Sequence, residues 1–159
     1  MLSNLKKRIG VDVGRRAKLE DGLEWAAVNE VFYIDIQLDS DANAMETFDE
    51  ERCEFVKEMC RNHDIHLGLH TLSGVNMAEY SNFLRQAADE YLRAYIDMAT
   101  RLDAEWIVVH PGFHFTADYE QRKKASLERL QRASAYAEDK GVHLLLENMN
   151  REPEDAEVN

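Results

Sequence analysis

No stretch of this sequence is apolar for long enough to cross a bilayer, and no basic-then-apolar leader opens it. Those absences set a cytoplasmic location, with no membrane partner, as the expectation. Cysteine is scarce: Cys53 and Cys60 stand alone, both within what reads as one helix. At helical rise their Cα atoms lie about 10 Å apart, beyond the reach of a disulfide. Two unpaired thiols fit a reducing compartment. Positive charge is in short supply too, with 19 Lys+Arg against 31 Asp+Glu and a formal net charge of −12. The basic groups Lys6-Lys7-Arg8, Arg15-Arg16 and Arg122-Lys123-Lys124 are short and lie near acids, which disfavours nucleic acid as a partner. Neither G-x-G-x-x-G nor G-x-x-x-x-G-K occurs, so nucleotide binding has no support.

What the sequence does contain is alternation. Arg8–Gly14, Val31–Asp39, Ile65–His70, Trp106–Val109 and Val142–Glu147 are short, largely apolar or β-branched runs. Between them fall stretches of helical periodicity over Leu19–Glu30, from a Thr47/Glu50 capping box to about Asn62, from an Asn76/Glu79 capping signal to about Asp103, and from Asp118 to Lys140-Gly141. The long third helix is expected to bury Leu84, Ala88, Tyr91, Tyr95, Met98 and Leu102, and the fourth Leu127, Leu130, Ala133 and Ala137. Five strands strictly alternating with four helices predict an α/β fold with a parallel sheet and right-handed crossovers. Residues 1–150 read as one such domain and 151–159 as a polar tail without periodicity. Because polar residues end several strands rather than gathering at one switch point, a (β/α) barrel of TIM type is favoured over an open sheet.

The chemistry gathers at strand ends. Trp106-Ile107-Val108-Val109 reads as a strand covered on both faces and runs into His110-Pro111-Gly112. His70 ends the third strand and Glu147 the fifth, and in a parallel sheet these three termini are neighbours on one rim. Two imidazoles and a carboxylate make a sensible set of ligands for Zn²⁺ or a similar divalent ion. Asp12 and Gln37, near the ends of strands one and two, are candidates for binding substrate hydroxyls, a turn role being equally open to Asp12. By alternation His66 and His143 share the rim residues' face at greater depth and read as histidines that are buried or stand just behind the rim.

Three segments carry a family resemblance: Leu69-His70-Thr71-Leu72-Ser73-Gly74-Val75-Asn76, Val109-His110-Pro111-Gly112-Phe113-His114 and Leu146-Glu147-Asn148. In order and spacing they resemble successive motifs of the xylose-isomerase-like barrel superfamily, of which H-P-G-x-H is the most specific. That superfamily holds sugar-phosphate isomerases and epimerases and the endonuclease-four type of abasic-site nucleases. In the nuclease branch the positions of His70, His110 and Glu147 bind metal; in the isomerase branch the position of Glu147 is a metal ligand and acid/base participant. The resemblance gives His114 a substrate or phosphate contact. It implies a divalent cofactor (Zn, Mn or Mg), a small carbohydrate substrate and an eight-stranded barrel, of which five strands are present here. Three functions follow as expectations: a metal-dependent sugar or sugar-phosphate isomerase or epimerase, a metal-dependent abasic-site endonuclease, or a barrel fragment inactive by itself. As a fragment it is expected to be marginal or aggregation-prone alone, and to need an oligomer or partner chain to complete the barrel.

Overall fold

The computed structural model describes residues 7–14, 17–39, 41–112 and 118–147. His114 and the tail 151–159 lie outside them. The elements are β1 Gly10–Asp12, α1 Leu19–Asn29, β2 Tyr33–Ile36, α2 Glu50–His63, β3 His66–His70, α3 Asn82–Leu102, β4 Trp106–Val109, α4 Tyr119–Asp139 and β5 His143–Leu146. All five strands pair in parallel, in the order β1-β2-β3-β4-β5. This is the α/β architecture of part of a TIM barrel, with β1 and β5 at the two edges of the described sheet. Among the described residues no helix is long and apolar enough to cross a membrane.

Strand alternation divides the side chains between two faces. Ile34, Ile36, Leu67, Leu69, Ile107 and Val109 point to the helices, each at 0–2% exposure, and meet Leu23, Leu92, Tyr95, Ile96 and Leu102. The opposite face carries Asp12, Asp35, Gln37, His70 and His110. A register row runs across it from Asp12 through Asp35, Gly68 and Trp106 to His143. This face is only half covered, which corrects the reading of β4 as a strand sheathed on both sides: Trp106 and Val108 are half-buried. It also corrects the reading of His143, which is exposed. His66 is half-buried, stacked on Tyr33 with ring centroids 4.9 Å apart and paired through Nδ1 with Glu105.

Two helix starts differ from the sequence reading. Asp49, not Thr47, caps α2, accepting from the Arg52 amide at 2.8 Å. Thr47 turns back instead, donating to the Ala44 carbonyl at 2.7 Å. Helix α3 begins at Asn82 behind Ser81, whose hydroxyl accepts from the Leu84 amide; Asn76 accepts from the Ala78 amide within the preceding loop. Leu84 and Leu127, expected in the core, are 52% and 55% exposed.

The four helices end alike. Glu30, Asp64 and Asp103 follow α1, α2 and α3 in the left-handed region at φ 54–57°, and Gly141 does so after α4 at φ 75°. The next amide of each, on Val31, Ile65, Ala104 and Val142, reaches back five residues to a helix carbonyl at 2.9–3.0 Å. That is the hydrogen bond of the Schellman turn, followed here by an apolar residue that enters the core.

Candidate metal centre

The three rim residues predicted from sequence converge. His70 ends β3, and His110 and Glu147 directly follow β4 and β5. One ligand atom from each lies within 4.8 Å of the others. His70 Nε2 is 3.3 Å from His110 Nε2 and 3.1 Å from Glu147 Oε2. Glu147 Oε2 is 3.6 Å from His110 Nδ1. A tetrahedral ion about 2.0–2.1 Å from its nitrogen and oxygen ligands holds them about 3.3 Å apart, and the separations of His70 Nε2 from His110 and Glu147 match that spacing.

Burial supplies the protonation state a ligand needs. Removal from water pushes the His110 pKa below its usual value; the Glu147 carboxylate opposes this and His70 adds to it. A neutral imidazole offers a lone pair, which an imidazolium cannot. The Nδ1 atoms of both His70 and His110 are buried with no hydrogen-bond partner among the described residues. Glu147 has the most exposed side chain of the three, at 47%, and faces the open side. The donor set therefore fits a divalent cation.

The loops hold this rim in place. His110-Pro111-Gly112 is pinned from two sides: Ser126 of α4 donates to the Pro111 carbonyl at 2.6 Å, and a side chain at Gly112 would strike the backbone at Met77 and Ala78. Glycine is required there twice over, because φ is +96°. Arg129, 3% exposed, donates to the carbonyls of Met77, Glu79 and Arg85 and to Asp89. One buried guanidinium thus staples the whole loop after β3.

Gln37 sits on the same face as the rim, with Oε1 buried and no partner among the described residues. Asp12 lies one strand over from it, Oδ2 3.7 Å from His70 Nδ1. Two features escaped the sequence reading. Asp35 lies on the open face, and burial pushes its carboxyl pKa up despite a 2.6 Å hydrogen bond from Trp106 Nε1. Alternation through Gln37 signals its orientation. Asp39 accepts from two tyrosine hydroxyls, Tyr91 at 2.8 Å and Tyr95 at 2.6 Å. Those hydroxyls also reach the strand ends: Leu72 and Leu38 donate their amides to Tyr91 and Tyr95, and Tyr95 lies 3.2 Å from the His70 carbonyl. The tyrosines are more than packing, and their spacing one helical turn apart is the signal that pairs them.

A family profile described as xylose isomerase-like TIM barrel matches residues 20–156. The chain belongs to that family. An uncharacterized protein of Methanocaldococcus jannaschii is 27% identical over 131 residues, spanning 70% of this chain and 52% of that protein. Among solved structures, a D-tagatose 3-epimerase-like protein superposes with a TM-score of 0.71 at 24% identity, covering 88% of this chain and 52% of its own. D-Psicose 3-epimerase from Clostridium cellulolyticum gives 0.77 at 17% identity, with 89% and 52% covered. Endonuclease IV from Thermus thermophilus gives 0.62 at 20% identity, with 88% and 51% covered. At these identities the likeness is one of fold. The chain spans about half the length of these relatives.

Proposed function

We propose that the chain carries the metal-binding rim of a sugar or sugar-phosphate isomerase or epimerase, with His70, His110 and Glu147 as ligands. The observation that carries this reading is the separation of 3.1 and 3.3 Å between His70 Nε2 and its two neighbours. A divalent ion bound there would polarise a substrate carbonyl or hydroxyl as a Lewis acid. The chain's own residues supply part of the rest. Gln37 accepts from a substrate hydroxyl through its unpartnered Oε1, and His114, four residues beyond His110 in the chain, contacts the substrate. Glu147 is the rim carboxylate available for moving a proton alpha to the carbonyl. One carboxylate does not serve at once as tight ligand and free base, so a second proton-transfer group is part of the proposal. Zinc or manganese titration by calorimetry tests the site: saturable binding that His110→Ala abolishes is expected, and binding unchanged in that variant would refute it.

The endonuclease reading rests on the same rim, whose two imidazoles and one carboxylate match the ligand types of the nuclease branch. It predicts retention and incision of abasic-site DNA. The net charge of −12 weighs against it, and no retention at low salt would remove it.

A further inference from the structure

We propose that Asp12 is a positioning residue that fixes the tautomer of His70, a role that rests on the metal reading of the rim. The geometry divides the two ring nitrogens of His70 between two tasks. Nε2 faces His110 and Glu147, at 3.3 and 3.1 Å. Nδ1 faces the other way, buried, unpartnered by any hydrogen bond among the described residues, and nearest to Asp12 Oδ2 at 3.7 Å.

A neutral imidazole carries one proton. If it sits on Nε2, the lone pair points away from His110 and Glu147, and the ring cannot serve as a ligand in this orientation. If it sits on Nδ1, Nε2 is free to coordinate and the N–H needs an acceptor. Asp12 is the acceptor within reach, and a carboxylate prefers a donor to a lone pair. Metal-bound histidines ordinarily give their second nitrogen to such a group, which fixes both tautomer and ring orientation.

Asp12 is built for this. Its other oxygen, Oδ1, accepts from the Gly14 amide at 2.6 Å, in a turn that Gly14 permits by adopting φ +68°. One oxygen anchors the carboxylate at the end of β1 and leaves the second to face His70. The gap of 3.7 Å is about 0.8 Å longer than an ordinary N–H···O bond. The Asp12 side chain is 41% exposed and has room to close it. A turn acceptor alone would leave Oδ2 without a task and His70 Nδ1 without a partner. This assignment gives Asp12 a role toward the protein rather than toward a substrate hydroxyl.

Asp12→Asn separates the turn role from the positioning role. Its side-chain oxygen still accepts from Gly14, so the turn is kept, but the amide group then faces His70 Nδ1 with a donor. The proton is pushed toward Nε2. Long-range ¹H–¹⁵N spectra of the imidazoles, with His70 assigned by its loss in His70→Gln, read the tautomer in the zinc-loaded protein, because without metal the Glu147 carboxylate, 3.1 Å from Nε2, competes with Asp12 for the proton. The wild type should show an Nδ1–H held against exchange by Asp12, and Asp12→Asn a faster-exchanging one or a mixture of tautomers. Zinc affinity by calorimetry should fall about 10- to 100-fold in the variant, with amide exchange elsewhere unchanged. An Nε2–H tautomer in the zinc-loaded wild type, or zinc affinity in Asp12→Asn within about twofold of the wild type, would overturn the proposal. Wild-type protein that binds no zinc would refute the metal reading and this proposal with it, whereas zinc binding that Asp12→Asn leaves unchanged would overturn the proposal alone. The wild-type spectrum decides the point even if the variant does not fold.

Discussion

Gly68 and Trp106 occupy one volume between them. A Cβ at residue 68 would lie inside the Trp106 indole, which crosses over β3 to donate to Asp35 at 2.6 Å. The glycine is therefore a socket for the neighbouring strand's largest side chain, on the face where the rim stands.

Filling that socket has a direction and a size. Gly68→Ala should destabilise the protein by about 1–3 kcal/mol, the usual penalty for overpacking. The same change in a Trp106→Leu background should cost much less. Urea unfolding of the four proteins in a double-mutant cycle gives the coupling, and additive effects would contradict the shared volume.

The Tyr95 hydroxyl joins three elements at once: it donates to Asp39, accepts from the Leu38 amide and lies beside the His70 carbonyl. Burial raises its pKa, with the hydrogen bond to Asp39 adding to the effect, so it stays a neutral donor. Tyr95→Phe leaves the Asp39 carboxylate and the Leu38 amide short of a partner. A loss of about 1–3 kcal/mol is expected in urea unfolding, and a change near zero would mean the hydroxyl is idle.

Acid should act through Glu20. Burial works to raise its pKa, but the Arg52 guanidinium, bonded to both carboxylate oxygens at 2.8 and 3.0 Å, outweighs it and holds the group below 4.5. A depressed folded-state value contributes stability that is present above the unfolded-state pKa. That contribution is lost as pH falls through the folded-state value. The stability gap between wild type and Glu20→Gln should be constant near neutrality and close below about pH 4.5. Urea midpoints measured from pH 7 to pH 3 check it; a gap that widens in acid would reverse the sign.

Arg129→Met removes the buried guanidinium from three carbonyls and from Asp89. Leaving the buried carbonyls without their donor costs about 1–3 kcal/mol, and the loop 77–85 should lose amide protection before the sheet does. Hydrogen exchange resolves the two, and uniform loss of protection would show that the staple is not local.

The order of strands and helices was legible because it depends on local periodicity, and the rim because His70, His110 and Glu147 all end consecutive parallel strands. The helix starts were less so. Thr47 and Asn76 have the chemistry of caps but use it inside their own loops, while Asp49 and Ser81 do the capping. The half-open face misled in another way: alternation places Trp106 and His143 on it correctly but does not tell how much of that face is covered. Asp35, Asp39 and Arg129 were unreadable because what gives them meaning comes from 40 to 71 residues away, through Trp106, Tyr91, Tyr95, Met77 and Asp89.

The left-handed corners after α1, α2 and α3 place an acidic side chain where glycine is free of penalty, at about 1–2 kcal/mol each for an ordinary residue and less for Asp. All three corners feed strand beginnings, and the rim stands at strand endings. The fold thus keeps its untapped stability at one pole and its chemistry at the other. Glycine at positions 30, 64 and 103 would harden the scaffold without moving a ligand atom, which leaves the rim free to diverge in what it binds.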